Sequence, residues 1–101
     1  MGELFNKIFA FIFFFSKKTK HFFELKEAID QTSFDYNQIK KLFFFKSGRW
    51  DIETNDGLLI KLPTNEIKLS LKILILILKN NNTKKIKKID LRQNNQIILN
   101  G

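Results

Sequence analysis

The apolar residues in the first third of the chain recur at helical spacing. Five of them fall near one face of a helix: Leu4, Ile8, Phe11, Ile12 and Phe15. The basic stretch Lys17–Lys20 is predicted to break this helix, and a second helical pattern follows from Phe22 to Ile29. Asp35 then resembles a new helix cap, and it predicts a short helical turn through Asn37–Lys41.

From Leu42 onward, the pattern becomes that of strands. Leu42–Phe45 is a short run of strand-favouring residues, and Ser47-Gly48 predicts a tight turn after it. The next strand, residues 49–54, alternates strictly, so every second side chain should face the core: Trp50, Ile52 and Thr54. Asp56-Gly57 predicts a hairpin turn because glycine accepts a positive φ. The return strand, Leu58–Leu62, should end at Pro63, which cannot donate to a neighbouring strand.

Residues 65–79 fit both a strand and a helix. Apolar residues alternate from Ile67 to Ile77, but Ile73–Leu78 is apolar on every side. The segment is about 15 residues long, whereas strands usually have about 4–8, so its length favours a buried helix. We expect Thr64 or Asn65 to cap this helix and Glu66 to lie in its first turn.

A second hairpin is predicted after this helix. Its strands are Lys85–Arg92 and Gln96–Asn100, and Asn94-Asn95 turns the chain between them. The sequence therefore predicts the α+β class. We expect an antiparallel β-sheet of two hairpins plus an extra strand, with N-terminal helices and one helix between the hairpins.

The N-terminal apolar run is too short to cross a membrane as a helix. Ile8–Phe15 has eight residues, whereas a spanning helix needs about 20. The run therefore favours an interfacial or buried helix. We divide the chain into an N-terminal apolar and basic extension, residues 1–18, and a β-domain, residues 19–101.

The net charge of +8 has two competing interpretations. It is compatible with an anionic partner, either a membrane or a nucleic acid. Alternatively, AT-rich codons would enrich Lys together with Phe, Ile and Asn without any such partner. Sixteen of the 18 basic residues are Lys, and nucleic-acid readers usually rely on Arg, so this composition favours the second interpretation.

The sequence shows no set of residues for catalysis or for metal binding. There is no cysteine and only one histidine, His21, so the usual ligands for zinc are missing. Asp90 and Arg92 flank Leu91 on the strand face opposite the core, which predicts a structural ion pair or a partner contact. Trp50 alternates with polar residues and is expected in the core. We predict a non-enzyme that binds no cofactor, metal or small-molecule substrate.

The strands and turns carry a series of motifs in a fixed order. It runs Gly48-Arg49-Trp50-Asp51, then Gly57, then Leu62-Pro63, and after the helix Ile89-Asp90-Leu91-Arg92. This series resembles the C-terminal part of the periplasmic β-domain of the FtsQ/DivIB family of bacterial cell-division proteins, especially its alphaproteobacterial members. The resemblance covers residues 42–99.

The resemblance implies a non-catalytic scaffold of the division machinery. Members have a cytoplasmic tail, one membrane-spanning helix, a POTRA domain and a β-domain that binds the division proteins FtsB and FtsL. The resemblance thus implies a place at the division site, on the periplasmic face of the bacterial inner membrane. The chain has no room for a POTRA domain, so we expect it to be a fragment of a longer protein.

The resemblance also implies where a partner binds. In the family, the edge of the last strand accepts an added strand of FtsB, whose backbone satisfies the free N–H and C=O groups. Carried over to this chain, the partner-binding residues are Arg92, Gln93, Asn95, Gln96, Ile97, Ile98 and Leu99. A basic module for an anionic membrane or a nucleic acid remains the alternative function.

Overall fold

Two α-helices and five strands make up the part of the chain that the computed structural model describes, residues 16–80, 85–93 and 96–100. Helix α1 spans Ser16–Asp30 and helix α2 spans Ile67–Asn80. The strands are β1 (Ile39–Phe44), β2 (Trp50–Thr54), β3 (Leu59–Lys61), β4 (Lys88–Gln93) and β5 (Gln96–Asn100). The predicted α+β class is confirmed. The predicted helix before residue 16 and the turn at Asn94-Asn95 lie outside the described residues.

The five strands lie in the order β1-β2-β3-β4-β5, so β1 and β5 form the two edges of the sheet. Three neighbouring pairs are antiparallel, as predicted, but β3 and β4 are parallel. A parallel pair needs a long crossover connection. Helix α2 provides it, because it lies between β3 and β4 along the chain.

The core lies between the two helices and one face of the sheet. Ile52, Ile60 and Ile89 occupy matching positions on three adjacent strands and are fully buried. Leu71 and Leu74 of α2 are also fully buried in the same apolar cluster. The predicted core side of β2 is confirmed, because Trp50 and Thr54 are buried as well.

The turn between β1 and β2 and the turn between β2 and β3 each contain a glycine with positive φ. Gly57 has φ +85°, and its N–H donates to the Thr54 carbonyl at 3.0 Å. Gly48 has φ +86°, and a Cβ built on it would lie 2.7 Å from the His21 imidazole. The single histidine, His21 of α1, therefore packs over the turn that contains Gly48. This contact holds α1 against the β1–β2 hairpin.

Two predicted features before β2 are wrong. The chain does not break at Lys17–Lys20, since α1 runs through these residues; lysine is a good helix former, and nothing there interrupts the backbone pattern. Asn37–Lys41 does not form a helical turn either. Asp35 caps only the short 3-10 helix Tyr36–Gln38, with its Oδ1 accepting from the Asn37 N–H at 2.8 Å. The chain then enters β1 at Ile39, which pairs with Thr54.

Helix α2 begins later than the sequence predicts. Its first residue is Ile67, and Glu66 has a left-handed φ of +53° instead of lying in the first turn. The Glu66 carbonyl nevertheless accepts from the Ser70 N–H at 3.1 Å, which is the bond that opens the helix. The predicted caps, Thr64 and Asn65, therefore lie outside the helix boundary.

Candidate functional site

Strand β5 forms one free edge of the sheet. Its residues Ile97, Ile98 and Leu99 are 45%, 39% and 40% exposed, although all three are large and apolar. The backbone of Gln96 pairs with Gln93 at the closed end of this hairpin. An edge strand of this kind presents unpaired backbone groups beside apolar side chains, which is the chemistry that strand addition uses.

The remaining predicted site residues lie at the same end of the sheet where the structure describes them. Arg92 and Gln93 are exposed at the end of β4, directly before the turn into β5. Asn95 lies outside the described residues. The structure thus brings Arg92, Gln93 and residues 96–99 together on one hairpin.

The opposite edge of the sheet, strand β1, is built differently. Two adjacent lysines, Lys40 and Lys41, are exposed on it, and the pairing with β2 shifts register between Ile39 and Lys41. Exposed lysines are a usual feature that keeps an edge from accepting further strands. The register irregularity does not separate the two edges, because the pairing of β4 with β5 also shifts, between Asp90 and Gln93. The described residues 96–100 of β5 carry no charged side chain, so β5 is the more permissive edge.

Asp90 and Arg92 form the predicted ion pair on the face of the sheet opposite the core. Arg92 Nη2 lies 2.6 Å from Asp90 Oδ2, and Arg92 Nε lies 2.9 Å from Asp90 Oδ1. The Arg92 backbone N–H also donates to Asp90 Oδ1, at 3.0 Å. These bonds hold the guanidinium against the carboxylate, so the orientation of Arg92 is fixed beside strand β5.

This ion pair is part of a row of charges that crosses the sheet. Asp51 is paired in register with Lys61, and Lys61 with Asp90, on the face opposite the core. Arg49 caps one end of the row by bonding Asp51, as Arg92 caps the other by bonding Asp90. The structure therefore links the two motifs Arg49-Trp50-Asp51 and Asp90-Leu91-Arg92 through one lysine. We name these five residues the charged row.

The burial of the carboxylates in the charged row was missed by sequence reasoning. Asp51 is only 4% exposed and Asp90 only 8%, although both were assigned to the solvent side of alternating strands. Arg49 bonds Asp51 and Arg92 bonds Asp90, so a long arginine side chain lies against each carboxylate. The sequence carries one signal of this arrangement, the mirrored order Arg-x-Asp and Asp-x-Arg in the two motifs. This signal can be interpreted only when β3 is known to lie between β2 and β4.

The pKa of the Asp90 carboxyl lies below its usual value, chiefly because Arg92 donates side-chain hydrogen bonds to it, while burial opposes the shift. A carboxyl with a lowered folded-state pKa stabilises the fold at pH above its unfolded value, and this stabilisation is lost as the pH falls through the folded value. We therefore expect stability to fall below about pH 4, with Asp90 contributing to the loss.

Urea unfolding at a series of pH values measures this contribution. The free energy of unfolding of Asp90→Asn should decline less between pH 5 and pH 3 than that of the unsubstituted protein. These two pH values bracket the ordinary pKa of an aspartate, which is about 4. Asp56→Asn, which changes an exposed turn residue, serves as the control. An identical pH dependence for all three proteins would contradict the assignment.

The described residues offer no centre for metal chemistry. Within residues 16–80, 85–93 and 96–100, no group of three or more His, Asp or Glu side chains is arranged to hold a metal ion. In the same ranges, no helix is long and apolar enough to cross a membrane.

Comparison with known proteins supports one family. No curated protein matches the chain. The family model described as "Cell division protein FtsQ/DivIB, C-terminal" matches residues 13–92, which is most of the chain. This is a family of non-catalytic scaffold proteins that act at the division site and have a periplasmic domain. The match confirms the resemblance over residues 42–92 and extends it toward the N-terminus, and the chain belongs to the FtsQ/DivIB cell-division family.

Proposed function

We propose that this chain is a non-catalytic scaffold that binds a partner division protein by strand addition at the edge of β5. The partner is of the FtsB or FtsL type, and binding takes place on the periplasmic face of the inner membrane at the division site. The observation that carries the proposal is the exposure of Ile97, Ile98 and Leu99 on an uncharged edge strand. The family match ends at Arg92. We therefore include β5 in the proposed site because of its position in the sheet and not because of the family match.

The two edges of the sheet differ in how readily they could accept an added strand, and the proposal requires β5 to be the more permissive edge. The exposed lysines of β1 oppose the addition of a strand there. At β5, an incoming strand would gain backbone hydrogen bonds and cover apolar side chains that now face water. Each hydrogen bond contributes about 1 kcal/mol net, and alternate side chains of the partner supply the specificity.

Arg92 and Gln93 border this edge and complete the proposed contact surface. The Asp90 carboxylate holds the Arg92 side chain on the face opposite the core, where Asp90 is paired with Ile98 of β5. A partner strand along β5 would therefore pass close to an oriented guanidinium. We propose that Arg92 and Gln93, together with residues 95–99, contact the partner.

Proline substitutions in β5 test strand addition. Successive N–H groups of a strand point to opposite sides. One of Ile97→Pro and Ile98→Pro therefore removes a bond to β4, and the other removes only a free donor at the outer edge. We expect the second variant to fold and to bind a cognate FtsB peptide about tenfold more weakly, because it loses one hydrogen bond and places a ring in the interface. Isothermal titration calorimetry measures the affinity, and circular dichroism identifies which variant folds.

A proline in the other edge strand is the matched control. The Phe45 N–H donates to the Arg49 carbonyl at 2.9 Å, so the alternation along β1 directs the Leu42 N–H away from β2. Leu42→Pro thus removes an outward donor from β1 and should leave the affinity for the peptide unchanged. Strand addition at β5 is refuted if the folded β5 variant binds as tightly as the unsubstituted protein.

A further inference from the structure

The outer face of helix α2 carries the two most exposed large apolar side chains in the part of the chain that the structure describes. Leu69 is 52% exposed and Leu76 is 59% exposed. They are two helical turns apart, so they lie on the same face, separated by about 10 Å along the helix axis. The buried face of the helix, which contains Leu71 and Leu74, points toward the sheet. The two leucines therefore form a ridge that faces away from the core.

The charges of α2 all have the same sign. Lys68, Lys72 and Lys79 are exposed, and no acidic residue lies between Ile67 and Asn80. At 100° per residue, the three lysines fall beside the leucine ridge on the outer half of the helix. The outer face of α2 thus combines exposed apolar side chains with three lysines. Lys68 shares a groove with the exposed Glu24, Glu27 and Glu66, whereas Lys72 and Lys79 lie outside that groove.

We propose that this face of α2 binds an anionic lipid surface. Leu69 and Leu76 would enter the boundary between headgroups and acyl chains, and the three lysines would lie against lipid phosphates. The helix carries lysines and no acidic residue, so its charge is complementary to lipid phosphates. This charge complementarity favours the lipid surface.

The expected strength is that of a weak, orienting contact. Each lysine near an anionic surface strengthens binding about fivefold, and each half-exposed leucine adds a similar factor. Binding of this size is comparable to that of a single acyl chain, which associates reversibly. It would turn the helical layer toward the bilayer. Arg92, on the opposite face of the sheet, would then remain open to the partner proposed for the edge of β5.

Co-sedimentation of the full chain with vesicles tests the proposal. The vesicles contain about 30% phosphatidylglycerol in phosphatidylcholine, or phosphatidylcholine alone, at about 100 mM salt, where screening is moderate. The triple variant Lys68→Gln/Lys72→Gln/Lys79→Gln should lower the partition coefficient on anionic vesicles about a hundredfold. The control Lys40→Gln/Lys41→Gln/Lys46→Gln removes the same charge from exposed positions elsewhere and should lower it less than about fivefold.

The leucines are tested separately. Leu69→Gln/Leu76→Gln should weaken binding to anionic vesicles about twentyfold, whereas Phe43→Gln, at an exposed position outside α2, should not. Equal losses in the two lysine variants would overturn the proposal in favour of diffuse attraction by the net charge of +8. Binding that is the same with and without phosphatidylglycerol would also overturn it. The proposal would also be overturned if the α2 variants kept their affinity for vesicles and lost affinity only for a model acidic amphipathic peptide. That result would identify a protein partner instead.

Discussion

Leu74→Ala is expected to lower the free energy of unfolding by about 3–4 kcal/mol. Leu74 has no exposed surface and lies in the apolar cluster that joins α2 to the sheet. The substitution removes buried methyl groups and leaves a cavity that its neighbours fill only partly. A domain of this size is stable by about 5–15 kcal/mol, so the loss is a large fraction of the total. Urea unfolding followed by the fluorescence of Trp50, the only tryptophan, measures it.

The same helix supplies the control for this experiment. Leu76→Ala makes an identical chemical change at a side chain that is 59% exposed, and it should alter stability by no more than about 0.5 kcal/mol. Equal losses at the two positions would mean that α2 does not pack on the sheet through the face that contains Leu74.

Arg49→Ala should destabilise the protein by about 3 kcal/mol. The Arg49 side chain is 14% exposed and bonds Asp51, whose side chain is 6% exposed. Removing the guanidinium leaves a buried carboxylate without its partner, and a stranded buried charge costs more than the ion pair itself contributes. The guanidinium also lies 4.4 Å from the centre of the Phe45 ring, which adds a cation–π contact. Urea unfolding at neutral pH measures the loss.

Arg92→Ala is the matched comparison because Arg92 bonds Asp90 at the other end of the charged row. Its side chain is 46% exposed, so water screens the pair and the loss of stability should be smaller than for Arg49→Ala. The double variant Arg49→Ala/Asp51→Asn should recover part of the stability lost in Arg49→Ala, since it removes the stranded charge. If Arg49→Ala and Arg92→Ala lower the free energy of unfolding by the same amount, burial does not decide how much these ion pairs contribute to stability.

The two halves of the candidate site differed in how far the sequence predicted them. Ile97, Ile98 and Leu99 were assigned to the last strand from the hairpin pattern and from the family resemblance, and the structure places them on an edge. The burial of Asp51 and Asp90 was not predicted, because alternation along a strand identifies a face but not what covers that face. Lys61 is paired in register with both aspartates from the strand that lies between them, and only strand order brings it there.

Local patterns determined most of the secondary structure of this protein. The turn at Gly57, the core side of Trp50 and Ile52, and the helical state of residues 67–80 follow from backbone preferences and from the spacing of apolar residues. Short-range signals were weakest where a tertiary contact competes with them. Residues 39–41 left the predicted helical turn because pairing with β2 satisfies their backbone groups instead.

The sequence by itself determined the α+β class, the hairpins and the family of this protein, because each of these depends on residues that are close together or on ordered motifs. The tertiary structure decided the parallel pairing of β3 with β4, the union of two distant motifs into the charged row, and the identity of the free edges. These features depend on which strands become neighbours. That choice is made by packing the apolar faces of α1 and α2 on the sheet, and no local pattern in the chain encodes it.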